Sequence, residues 1–101
     1  MKEIKNIYEM IADEIEGAEK YAKEAIRWHG IDPEKGATYL DMSKQELSHI
    51  DRLHAIIVKE IKKQKDSGAE IPKGMQEIYD WQHEKMIDEV ARIKNLQMLY
   101  K

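Results

Sequence analysis

His29-Gly30-Ile31-Asp32-Pro33-Glu34 separates two long helical patterns and decides the fold. Asp32 stands directly before Pro33, and an acidic N-cap followed by proline at the first helical position is a strong helix-start signal. Gly30 suits the left-handed conformation in which many helices end. The stretch therefore predicts that one helix ends near Trp28 and that the next begins at Pro33.

A second break lies at Asp66-Ser67-Gly68, and Ile71-Pro72 marks the start that follows it. The two breaks divide the chain into helices over about 4–28, 33–65 and 72–100. Apolar residues recur at spacings of three and four in each segment, as on one face of a helix. These stripes are Ile4, Ile7, Ile11, Ala18, Tyr21, Ala25 and Trp28; Leu40, Leu47, Ile50, Leu53, Ile57 and Ile61; and Met75, Ile78, Met86, Val90, Ile93 and Leu96. The fold class predicted is all-α, a three-helix antiparallel bundle.

Composition limits the kinds of protein this chain can be. Its 101 residues suffice for a single domain over 1–101, with 42% hydrophobic and 37% charged residues. The net charge of −3 and the lack of a basic patch, apart from the stretch 59–65, argue against nucleic acid as a partner. No apolar run approaches the roughly 18 residues that span a membrane, and residues 1–5 lack a signal peptide's apolar stretch. We therefore expect a cytoplasmic location, or one inside a cytoplasmic protein compartment.

Polar residues interrupt the predicted core stripes near the middle of the first two helices. Between Ile11 and Ala18 the heptad position falls on Glu14, and a carboxylate there is costly unless it is paired or binds a metal. The alternative is that Glu14 lies beside the seam and that Ile15 is the core residue.

The second helix places Glu46 and His49 three residues apart, one turn from each other on a mostly apolar face. Glu-x-x-His is the element from which helical bundles build di-iron and di-manganese sites. Sixteen residues separate Glu14 from Gly30, and sixteen separate Gly30 from Glu46. In an antiparallel hairpin the two carboxylates should therefore face each other, with His49 one turn away.

Two segments carry a resemblance to a known family. Ile11-Ala12-Asp13-Glu14-Ile15-Glu16-Gly17-Ala18-Glu19-Lys20-Tyr21 resembles the first helix of the rubrerythrin and ferritin-like superfamily, where a tyrosine follows a metal-binding glutamate by two turns. Gln45-Glu46-Leu47-Ser48-His49-Ile50-Asp51-Arg52-Leu53 resembles the second helix of that superfamily. The resemblance covers about the first 65 residues. It implies that Glu14 is a terminal carboxylate ligand, Glu46 the bridging one and His49 the nitrogen ligand.

The chain departs from that family in its third helix, which lacks a second Glu-x-x-His, and in having no fourth helix. A complete site needs about four carboxylates and two histidines, and one copy supplies half of them. A two-fold homodimer would complete the set, as in the half-length, encapsulated type of ferritin that the chain resembles. Asp80, His83 and Glu89 of the third helix are the alternative source of ligands, and they would close a site within one chain.

Other polar and aromatic residues are assigned to the structure. His29 is expected at a helix end, and His54 is expected to face away from His49. The tryptophans and tyrosines are expected to pack, with Tyr21 singled out because it lies two turns from Glu14.

Two functions compete at this point. The first is a ferritin-like metal-binding protein that uses iron or manganese ions, with Fe(II) oxidation as its possible reaction. The second is a metal-free helical protein with a structural or interaction role.

Overall fold

The computed structural model describes residues 2–100 as three helices and no strand. These are α1 (Lys2–Trp28), α2 (Pro33–Asp66) and α3 (Lys73–Met98). Each predicted boundary lies within two residues of the observed one, and the predicted all-helical class is confirmed. Residues 1 and 101 lie outside the described part of the chain.

The turn between α1 and α2 forms largely as its sequence predicts. Asp32 caps α2 by accepting a hydrogen bond from the Lys35 backbone N–H at 3.2 Å, and Pro33 occupies the first helical position. The prediction for Gly30 is wrong, because Gly68 is the described glycine with a positive φ. The backbone N–H groups of Ile31 and Asp32 both donate to the Trp28 carbonyl, so α1 ends in a right-handed turn.

The three helices form an elongated bundle of 57 × 18 × 17 Å. Consecutive helices are antiparallel, so α3 runs parallel to α1. Two contacts between α2 and α3 show this direction, since Ser43 meets Gln97 whereas His54 meets His83. No helix in the described range 2–100 combines the length and apolar character that a membrane span requires.

The core is an aliphatic seam that runs the length of the bundle. The residues buried in it are Ile4, Ile7, Tyr8, Ile11, Ile15, Ala18, Leu47, Ile50, Ile57, Tyr79, Met86 and Ile93. Two sequence assignments change. Ile15 is a core residue and Glu14 lies beside the seam, as the alternative had it. In α3, Ile78 is half-exposed and its neighbour Tyr79 is buried. At this point the face of α3 that contacts the hairpin is rotated by one residue position relative to the predicted stripe.

α3 packs along one side of the α1–α2 hairpin. The α1 residues that face α3 are shown by a small cavity between the two helices. It is lined by Tyr8, Ala12 and Ile15 from α1 and by Gln82 and Glu89 from α3. Farther along the pair, Arg92 donates two hydrogen bonds to the Glu19 carboxylate, at 2.8 and 2.9 Å. These hydrogen bonds, with one from Lys23, lower the pKa of Glu19 to about 2. The opposite side of the hairpin is left without a third helix.

Ser43 joins all three helices at one buried point. Its hydroxyl donates to the Ala18 carbonyl of α1 at 2.6 Å and accepts from the Gln97 side-chain amide of α3 at 2.9 Å. Because Ser43 is fully buried, no water can replace either partner.

We expect Ser43→Ala to lower the free energy of unfolding by about 1–2 kcal/mol, since it leaves the Gln97 amide without its acceptor. Urea denaturation measures the change. Ser48→Ala, on the exposed surface of the same helix, is the matched control and should shift stability by less than about 0.5 kcal/mol. Equal midpoints for the two variants would show that the Ser43 network adds nothing.

Candidate metal centre

The uncovered side of the hairpin carries two facing stripes of residues, which we call the site face. On α1 it consists of Met10, Glu14, Gly17 and Tyr21, and on α2 of Tyr39, Met42, Glu46, His49, Leu53 and Ile56. Each stripe follows spacings of three and four, so each forms one line along its helix. Tyr21 and Tyr39 meet across the hairpin with ring centroids 6.2 Å apart, which fixes the register of the two stripes.

Glu14, Glu46 and His49 come together at the centre of this face. One ligand atom from each side chain lies within 4.8 Å of those of the other two. His49 Nδ1 is 3.3 Å from Glu14 Oε2, across the α1–α2 interface. The juxtaposition arises because Glu14 and Glu46 each lie sixteen residues from Gly30, which stands at the turn of the antiparallel hairpin. Within residues 2–100 this is the sole group in which three acidic or histidine side chains are so arranged.

The cluster is open to solvent on one side. Glu14 and Glu46 are half-buried, whereas the His49 side chain is 47% exposed. Such a position lets a cation reach the three ligand atoms without opening the core. It also leaves coordination positions that only water or another molecule can fill, because one chain provides three ligand groups here.

Electrostatic repulsion between the two carboxylates is relieved by a proton. A hydrogen bond from Glu46 to Glu14, partial burial and the charge of Glu14 raise the pKa of Glu46 to about 7, with His49 opposing the rise. A carboxyl group with this pKa holds its proton at mildly acidic pH. A metal cation competes with that proton, because carboxylate ligands bind in the ionised form.

Gly17 makes room for the Glu46 carboxylate, a role that the sequence motifs did not assign to it. A β-carbon at Gly17 would lie 3.1 Å from Glu46 Oε2, closer than ordinary van der Waals contact. Glycine in the middle of a helix costs about 1 kcal/mol relative to alanine, so its place in α1 calls for a local reason. That reason is visible in the structure as the close approach of the carboxylate.

The raised pKa of Glu46 predicts how the stability of the metal-free protein depends on pH. Glutamate in an unfolded chain titrates near pH 4.5, so between about 4.5 and 7 the folded protein holds a proton that the unfolded chain has lost. Stability therefore falls as pH rises through this window and levels off above it. We expect a loss of about 1–2 kcal/mol, allowing for partial exposure. Denaturation of chelator-treated protein across this range measures it, and Glu46→Gln should abolish this component. An identical pH dependence in that variant would contradict the assignment.

The third helix does not contribute to this cluster. Asp80 accepts a hydrogen bond from Gln76 at 2.9 Å, Glu89 lines the cavity between α1 and α3, and His83 contacts His54. Since α3 lies on the other side of the hairpin, the alternative of a site closed within one chain is not supported.

Two histidines lie where the sequence predicted but make contacts that it did not predict. His54 does face away from His49, but its ring pairs with His83 rather than only packing. His29 makes an edge-to-face contact with Tyr100, with ring centroids 4.6 Å apart, instead of only ending a helix. Neither contact has a signal in local sequence, because each depends on where α3 docks.

The fold and cluster define a three-helix bundle with a carboxylate–histidine group on one open face. No protein-family model, no curated protein and no solved structure matches this chain. Membership of the ferritin-like superfamily therefore stays a prediction from the motifs around Glu14 and Glu46.

Proposed function

We propose that this protein is a ferritin-like carboxylate protein that binds a pair of iron or manganese ions between two copies of the chain. The observation that supports it most is the convergence of Glu14, Glu46 and His49 on an uncovered helix face. Carboxylate and neutral imidazole together suit Fe(II) and Mn(II). The close approach of Glu46 to Gly17 and its readily displaced proton fit a group that binds a cation.

The second copy is proposed because one chain has half of the ligands. Joining two site faces about a two-fold axis would bring four carboxylates and two histidines together, the set that di-metal bundles use. The same face exposes Met10 and Ile56, which are 52% and 44% accessible in the single chain. Their burial would favour association, whereas four facing carboxylates would oppose it unless cations neutralise them. Metal binding and dimerisation are therefore expected to be coupled.

Oxidation of Fe(II) by dioxygen is the reaction proposed for this site. With Fe(II) as substrate, two ions give up two electrons to one dioxygen, which takes two protons to become hydrogen peroxide. The contribution of the chain is to hold two cations near each other with carboxylates that favour the more highly charged product.

Oxygen consumption after anaerobic loading with Fe(II) tests this reaction. We expect the wild-type protein to consume oxygen faster than the same Fe(II) in buffer, and Glu46→Gln to return the rate to the buffer value. A wild-type rate equal to that of buffer would limit the protein to metal binding.

A metal-free structural protein is the second candidate, and one observation favours it. The three side chains satisfy one another through the His49–Glu14 contact and the proton of Glu46, so the cluster is stable without an ion. Under this candidate the site face binds no ion. Added Fe(II) or Mn(II) then changes neither the stability nor the oligomeric state of the protein.

A further inference from the structure

A second pair of possible ligands lies between α2 and α3, away from the site face. His54 Nε2 of α2 is 3.2 Å from His83 Nδ1 of α3. The two rings are inclined by 27°, their centroids are 5.0 Å apart, and both side chains are half-buried. His54 follows His49 by five residues, which places it about 140° around the helix axis. The pair is therefore separate from the carboxylate cluster.

We propose that His54 and His83 form a second metal site, selective for ions that prefer imidazole nitrogen, such as Zn²⁺. Metal–nitrogen bonds of about 2.0–2.1 Å to both atoms, with the nitrogens 3.2 Å apart, subtend an angle of about 100° at the ion. That angle is close to tetrahedral. The spacing thus suits one ion shared by both nitrogens. Each ring must rotate slightly, so that its nitrogen points at the ion and no longer at the other ring.

The pKa of His54 agrees with this geometry. Burial and the neighbouring His83 lower the pKa of His54, which disfavours its protonated form. The neutral imidazole ring is the form that binds metal ions.

A carboxylate stands one turn before each histidine. Asp51 precedes His54 and Asp80 precedes His83, both at a spacing of three, and both aspartates are exposed. The charge of Asp51 already acts on His54, where it opposes the fall in pKa, whereas Asp80 is held by a hydrogen bond from Gln76. The site therefore takes two nitrogens from the histidines and completes its coordination with water, while the Asp51 charge acts on it from nearby. An ion bound by His54 of α2 and His83 of α3 links the two helices and therefore stabilises the folded chain.

Calorimetric titration with Zn²⁺ alone tests the site, beside thermal unfolding with and without the ion. The Glu14→Gln/Glu46→Gln double variant is used as background, because it removes the carboxylates of the first cluster. This background should bind one Zn²⁺ per chain, and its melting temperature should rise by several degrees at saturation. Adding His83→Gln, which keeps a polar side chain beside His54, should lower the affinity at least about tenfold and remove the rise.

The matched control removes a histidine from the other face. His49→Gln in the same background should keep both the affinity and the thermal shift, and His54→Gln should reproduce the loss seen with His83→Gln. Unchanged zinc binding in both His54→Gln and His83→Gln, with circular dichroism showing folded protein, would overturn the site. So would loss of zinc binding in His49→Gln alone. Neither result bears on iron binding by the wild-type carboxylate cluster, so the two proposals fail independently.

Discussion

Glu46→Ala is expected to abolish binding of Fe(II) and Mn(II) at the carboxylate cluster, with a fall in affinity of at least about a hundredfold. Glu46 lies between Glu14 and Gly17, and its proposed role is to bridge two ions, so no neighbouring oxygen can replace it. Removing it from the metal-free protein should leave stability unchanged or slightly higher, because a half-buried carboxylate with an unfavourable neighbour is lost. Metal analysis and thermal unfolding, each with and without added Mn(II), measure both effects.

Loss of metal binding without loss of stability distinguishes a ligand from a structural residue. A packing role would make Glu46→Ala destabilising without metal and would leave the metal content unaltered. Glu16→Ala is the matched control, since Glu16 is an exposed carboxylate near Glu14 in sequence but outside the site face. Equal metal binding in Glu46→Ala and Glu16→Ala would contradict the proposed role of Glu46.

Gly17→Ala is expected to separate stability from metal binding. Alanine in mid-helix should raise the free energy of unfolding by about 1 kcal/mol relative to glycine. Its β-carbon would lie 3.1 Å from Glu46 Oε2, so the carboxylate must move by a few tenths of an ångström. Because the end of a glutamate side chain can move without disturbing the core, the fold tolerates this shift and the ligand geometry does not. We expect about tenfold weaker metal binding in a more stable protein, measured by denaturation and Mn(II) titration.

Gly74→Ala provides the comparison for this result. Gly74 lies in the first turn of α3, and a β-carbon there meets no atom within 4 Å. This variant should leave metal affinity unchanged. If Gly17→Ala binds metal as tightly as the wild-type protein does, then Gly17 does not control the position of Glu46.

The helices and the juxtaposition at the site were predictable from local sequence. Asp32-Pro33 fixes the start of α2 through capping and a restricted φ, and the apolar stripes of α1 and α2 indicate which of their faces are buried. Equal spacing on either side of the α1–α2 turn then brings Glu14 level with Glu46. Each of these inferences needs only a helical repeat and one tight turn.

The placement of α3 was not predictable in the same way. Either side of the hairpin offers an apolar stripe, and the choice depends on long-range contacts such as Arg92 with Glu19 and Gln97 with Ser43. The His54–His83 pair and the burial of Tyr79 rather than Ile78 follow from that choice. The left-handed conformation expected at Gly30 failed for a different reason, because a right-handed turn already satisfies the carbonyl at the end of α1.

The most direct test of the central claim is the metal content and the mass of the same sample, measured by native mass spectrometry after anaerobic addition of Fe(II). If Glu14, Glu46 and His49 form half of a shared site, the protein should be a dimer that carries two iron ions at this site, and chelation should return it toward the monomer. The same measurement on the His54→Gln/His83→Gln double variant should also give a dimer with two iron ions, because this variant lacks the second histidine pair and keeps the carboxylate cluster. A monomer that binds no iron under these conditions, or one that binds two ions without associating, would contradict the shared site.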